Sequence, residues 1–106
     1  MPQPNVSRSF QAFFQEAPDH AKAWMGAVQG IGAASKLDAK TEALAYLAVL
    51  AAVRLESGIP FHVKMAKSHG ASRDEIISAL LVGLPAAGNV VTASLPVALD
   101  AFDEEN

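Results

Sequence analysis

Cysteine is absent from the 106 residues. Without sulfur there is no disulfide framework, no zinc ribbon and no thiol-based peroxidase or reductase cycle, because each needs a thiol as bond, ligand or nucleophile. Surplus positive charge is missing too: 8 Lys and Arg stand against 11 Asp and Glu. Asp100, Asp103, Glu104 and Glu105 crowd the C-terminal end, so the rest of the chain is nearly neutral. Nothing there would release counterions from a nucleic acid, and no nucleic-acid partner is expected. Long apolar runs are also lacking. The longest, residues 43–53, falls well short of the roughly 20 residues that span a bilayer. It reads as a core helix, and no membrane association is expected. The first five residues carry neither a basic nor an apolar signal region, so a cytoplasmic location is expected.

What is present is helix. Apolar residues make up 51% of the chain, and nowhere do they alternate with period two for long enough to build a sheet. The expected class is all-α, five or six short helices in one domain over residues 1–106. A chain of this size buries only roughly 60 to 65% of its unfolded surface, which makes oligomerisation a natural remedy.

Residues 7–16 place Phe10, Phe13 and Phe14 at helical spacing before Pro18. These aromatics read as core or subunit contacts. A second helix opens at Pro18-Asp19, with Asp19 as candidate cap, and weakens through Gly30, Gly32 and Ser35. Asp38 caps the third, which runs toward Glu56. Because residues 43–53 are apolar around the whole circumference, they must be covered on every side, and a subunit interface is expected. Ser57-Gly58-Ile59-Pro60 marks a bend or restart. The fourth helix, residues 59–68, ends at His69-Gly70. Ser72 and Glu75 form a capping box that launches a fifth, with Ile76, Leu80 and Leu84 on one face. A last helix, residues 90–102, carries Pro96 and should bend there. The acidic tail beyond Asp103 reads as solvated.

His62 is the most informative polar residue. It falls in the first turn after the break, where the helix dipole disfavours imidazolium and leaves a neutral ring able to accept a proton. That suits a general base or relay; the alternative is a buried histidine satisfied by one backbone hydrogen bond. His69 returns to nearly the same face but about 10.5 Å along the axis, too far to share an ion, so no metal is expected. It reads as a helix-end residue, and His20 as a surface one. Glu42, Glu56 and Ser57 are the other acid, base or nucleophile candidates, each with a structural alternative as a dipole-stabilising or turn residue. No GxSxG, GxGxxG or P-loop occurs in a suitable context, and no cofactor is expected.

Asp38-Ala39-Lys40-Thr41 before an Ala/Leu-rich helix, then residues 58–66 (Gly-Ile-Pro-Phe-His-Val-Lys-Met-Ala), then Gly70-Ala71-Ser72 with Glu75-Ile76, resembles the carboxymuconolactone decarboxylase family, which includes alkyl hydroperoxidase D-like proteins. The resemblance covers about half the chain, residues 38–88. It implies an all-α fold of packed helices assembled into homotrimers or homohexamers. In the peroxidase branch the pattern is a glutamate, a CxxC and a histidine four residues after the second cysteine. Counted back from His62, those positions hold Ala43, Leu55 and Gly58, so the thiol cycle that the resemblance implies lacks its thiols here. Glu42, one residue before the vacant glutamate position, is turned from it by about 100°. The decarboxylase branch implies proton transfer on a small lactone carboxylate, with His62 as acid or base and Arg54, Lys64 or Lys67 holding the substrate. Two functions stay open: acid/base chemistry on a small carboxylate or lactone ligand, or a catalytically inactive oligomeric member with a binding or structural role.

Overall fold

Ser7 opens the first helix by accepting a hydrogen bond from the Phe10 backbone N–H at 3.2 Å, satisfying one of the donors that a helix start leaves free. The computed structural model describes residues 6–104, and their contacts divide into two compact units, Met1–Leu37 and Asp38–Asn106. The readings made on residues 1–5 and on Glu105 lie outside the described residues.

The first unit holds α1 (Arg8–Glu16) and α2 (Pro18–Ala34). Phe10, Phe13 and Phe14 pack on one another, Phe10 meeting Phe14 edge-on at 4.9 Å. The cap expected at Asp19 does not form. Pro18 already holds the first helical position, so Asp19 sits inside the first turn, and Ala17 at the cap has no side-chain oxygen to offer. Only Ala21 is buried on these two helices. Trp24, Val28 and Ile31, at i, i+4 and i+7, form an exposed stripe.

The second unit is built around α3 (Ala39–Ala52), started by the Asp38 carboxylate accepting from the Thr41 N–H at 2.8 Å. The helix is shorter than its sequence suggests. Leu55 N–H bonds back to the Leu50 carbonyl at 2.9 Å, and Arg54 adopts φ 65°, which together close the helix in a Schellman motif. A 3-10 turn (Glu56–Gly58) leads into α4 (Ile59–Ser68), with Pro60 in its first turn as the sequence indicates. Gly70, at φ 94°, ends α4 in the same way without steric cost. Both bonds of the Ser72–Glu75 capping box form at the start of α5 (Arg73–Leu80).

Two expectations about the C-terminal part are corrected. Leu84 does not extend the Ile76–Leu80 face: α5 stops at Leu80, and Leu84 starts the one-turn α6 (Leu84–Ala87), half exposed. The last helix breaks before Pro96 rather than at it. Residues Asn89–Ala93 wind as a 3-10 turn and α7 (Ser94–Asp103) begins with Pro96 in its first turn, where its missing N–H costs nothing.

Leu47, Leu50 and Ala51 of α3, Ile59, Val63 and Ala66 of α4, Ile76 and Leu80 of α5, Val91, and Ala98 and Ala101 of α7 make one core. Three cations grip the end of α7: Arg73 holds both carboxylate oxygens of Asp103, at 2.9 and 3.0 Å, Lys64 pairs with Glu104 at 2.6 Å, and Lys67 donates to the Phe102 carbonyl at 2.6 Å. Glu104, read from the sequence as part of a solvated tail, is exposed but paired with Lys64. Cations at this end also complement the helix dipole. Six helices of eight residues or more, and no strand among the described residues, give the all-α class read from the sequence.

Candidate functional site

α4 buries Ile59, Val63 and Ala66 at i, i+4 and i+7, which turns His62 to the flank of the core, partly buried, and Phe61 and Met65 to the outside. On α3 the residues Glu42, Tyr46, Val49 and Val53 follow the same spacing and share one face. The faces meet at His62: its ring lies 4.4 Å from the Tyr46 ring and 5.1 Å from that of Phe61, centroid to centroid. Among the described residues neither ring nitrogen has a hydrogen-bond partner, and neither is sealed from solvent. Burial pushes the His62 pKa down, since an imidazolium there would give up part of its hydration with no acceptor in return. Its resting form at neutral pH is the neutral ring. The sequence indicates that state through the helix dipole, whereas burial is the cause the structure supplies.

The other candidates are placed differently. Glu42 sits in the first turn of α3, partly buried, one turn before Tyr46 on the same face. Glu56 begins the 3-10 turn that packs on α3 and α4, and its Oε2 is buried without a hydrogen-bond partner. Ser57 is exposed within that turn. Of the five Lys and Arg in Asp38–Asn106, Lys40 pairs with Glu75, Lys64 with Glu104 and Arg73 with Asp103. Lys67 is held by the Phe102 carbonyl and lies 4.6 Å from the Phe102 ring centre. Arg54 is exposed and has no such partner among the described residues.

Sequence reasoning missed Tyr46, the residue in closest ring contact with His62. The signal was there: it is the only tyrosine, a polar tip inside an otherwise apolar run, four residues after Glu42. Ala43, at the position of the peroxidase glutamate, is buried in the core. Leu55 is exposed and Gly58 packs near the Leu50 side chain, so no proton acceptor and no sulfur stands where that chemistry needs them.

A separate trough of about 600 Å³ runs between α3 and α5, floored by Leu44, Ala45, Ala48, Ala79 and Val82, with Lys40 and Glu75 at its edge. His62 does not line it. Among the described residues no three His, Asp or Glu converge as metal ligands, and no helix is long and apolar enough to cross a membrane.

No curated protein and no solved structure matches the chain. A family model does match, over residues 18–100, which takes in α2 and everything through most of α7. The chain belongs to the carboxymuconolactone decarboxylase family.

Proposed function

We propose that this protein carries out acid/base chemistry on a small carboxylate or lactone, with His62 as the group that takes up and returns the proton, working as a homotrimer or homohexamer. The observation that carries this reading is the His62 ring itself: partly buried beside Tyr46, neutral, with both nitrogens free of protein partners. A neutral imidazole can withdraw a proton from a carbon next to a carbonyl and then return it to carbon, so the ring ends each cycle as it began. Arg54 is the cation best placed in charge terms to hold a carboxylate, because Lys64 and Lys67 are already engaged. Thiol peroxidase chemistry has no part in it, since the chain has no cysteine.

The test is turnover of a panel of small lactones and carboxylates by wild type and His62→Gln. The substitution is expected to lower kcat by about 10²-fold or more while mass and helicity stay unchanged. Equal turnover by both proteins would remove His62 from the reaction. The second reading, an inactive binding or structural member, is favoured by the apolar residues left exposed around the ring, Val49, Val53 and Met65 among them. It expects no turnover from either protein and a loss of stability in the variant.

A further inference from the structure

Removing a proton from a carbon beside a carbonyl leaves negative charge on the carbonyl oxygen, and a base alone does nothing for that charge. The His62 ring therefore needs a companion that donates a hydrogen bond to oxygen. Lys64 and Lys67 are engaged at the end of α7, and neither Ser57 nor Arg54 makes a contact that holds it at the ring. Glu42, one turn before Tyr46 on the same face of α3, carries the wrong sign. It also leaves the imidazole alone: burial is the one cause lowering the His62 pKa, with no neighbouring charge acting on the ring.

Tyr46 supplies what these groups do not. Its phenol is the only polar tip in the apolar run of residues 43–53, and its ring touches the imidazole with centroids 4.4 Å apart. The side chain is 47% exposed, and that ring contact is its only interaction among the described residues, so the hydroxyl is not spent on a neighbour. No hydrogen bond joins the two rings. A ring nitrogen that can take a proton and a hydroxyl that can donate one thus stand side by side, both unoccupied, with otherwise apolar Val49 and Val53 continuing the α3 face. A carbonyl and the carbon next to it bridge such a pair when each contact is about 3 Å long.

We infer that Tyr46 is the second catalytic residue of the His62 site, the phenol whose O–H donates to the substrate's carbonyl oxygen while the imidazole holds the proton. The inference rests on the reading of His62 as the working base. In the step, a His62 nitrogen takes the proton from the carbon, the C–H electron pair becomes a carbon–carbon double bond, and the carbonyl π pair moves onto oxygen. Tyr46 keeps its own proton. Its hydrogen bond strengthens as the oxygen gains charge, so it favours the transition state over the bound substrate. Return of the proton from imidazolium to carbon restores the carbonyl and both side chains.

The experiment reads binding of an enolate mimic, which requires no known substrate. Tetronic acid is an enol lactone that is ionised at neutral pH, and γ-butyrolactone is its neutral, saturated counterpart. By calorimetry, wild type is expected to bind tetronate at least about tenfold more tightly than γ-butyrolactone. In Tyr46→Phe that preference should shrink to a few-fold or less, while an unchanged His62 midpoint by NMR shows that the ring packing is intact. Tyr46 is the only tyrosine, so its ring signals report alone and should shift as tetronate saturates wild type, a measurement that needs no variant to fold. Where a lactone is turned over, Tyr46→Phe should lower kcat by about 10²-fold and change KM by no more than a few-fold. Failure of wild type to bind tetronate, a preference that survives in Tyr46→Phe, or tyrosine signals that stay still at saturation would each overturn the inference. Equal turnover by wild type and His62→Gln would instead remove the base and leave these binding measurements to judge Tyr46, so the two failures are distinguishable.

Discussion

The imidazole of His62 lies against the phenol ring of Tyr46 with centroids 4.4 Å apart and planes tilted by 51°. One side of the histidine is thereby shielded by an aromatic face, and burial lowers the His62 pKa from the ordinary 6.5. An NMR titration should give a midpoint below that value. Tyr46→Phe should preserve it, since the ring stays, whereas Tyr46→Ala should move it back up. A wild-type midpoint at or above 6.5 would contradict the burial argument. The sign for stability follows from linkage. The unfolded chain binds the proton more readily than the folded one, so stability falls as pH drops below about 6.5 and levels off once the folded pKa is passed. His62→Gln should flatten that part of the stability profile.

Peroxide chemistry supplies a second prediction. Wild type should consume no peroxide with a dithiol donor, because no side chain can form and resolve a sulfenic acid. The scaffold would nonetheless accept thiols. A Cβ added at Gly58 meets the Leu50 methyls at 3.6 and 3.7 Å, ordinary contact, and φ of −87° suits any residue there. Leu55 is exposed and can be exchanged without opening a cavity. Leu55→Cys/Gly58→Cys should therefore fold with a stability change under about 1 kcal/mol by chemical denaturation. A larger loss would show that the turn depends on the residues it now has.

Local signals were legible wherever one side chain decides the backbone. Ser72 with Glu75, Asp38 with Thr41, Gly70 and Pro60 each end or begin a helix where the sequence places them. The end of α3 was not legible, because the residue in the left-handed position is Arg54 and not a glycine; the nearest glycine, Gly58, suggested a later stop. Pro96 misled in the opposite direction, since a proline in a first turn and a proline in a helix interior look alike until the start at Ser94 is known. At the site, the single histidine after the break could be read from one chain, but its Tyr46 neighbour depends on α3 packing against α4, which no local spacing records. The partners of Lys64 and Lys67 on the end of α7 are equally long-range.

Two serines separate a needed hydroxyl from a redundant one. Ser72 accepts from the Glu75 N–H at 3.1 Å and caps α5, so Ser72→Ala should cost about 1 kcal/mol. Ser94 is fully buried, and its Oγ has no hydrogen-bond partner. Removing it takes away an unsatisfied polar atom and leaves a methyl group in a site of nearly the same shape. Ser94→Ala should then be neutral or stabilising by up to about 1 kcal/mol. The denaturant midpoint should fall for Ser72→Ala and stay level or rise for Ser94→Ala, and a destabilised Ser94→Ala would mean that the hydroxyl finds a partner, such as water, in solution.

Arg54 and Gly70 occupy the same position in two Schellman closures, at φ 65° and φ 94°, yet only one is a glycine. A side chain in the left-handed region costs roughly 1 kcal/mol relative to glycine there. The closure of α3 is what that backbone conformation supports; the guanidinium itself has no carboxylate or carbonyl partner among the described residues. Its unengaged charge at the end of α3 is available to an anion, and the proposed use is holding the substrate carboxylate. The two roles pull one substitution in opposite directions. Arg54→Gly should stabilise the protein by roughly 0.5 to 1 kcal/mol, less the entropy that glycine adds to the unfolded chain. The same change should raise KM for an anionic substrate while leaving kcat within a few-fold, because His62 is untouched. Arg54→Lys, which keeps the charge and the strain, should show neither the gain in stability nor the full loss in binding. If Arg54→Gly binds the substrate as well as wild type, the carboxylate is held elsewhere and Arg54 has no part in the site.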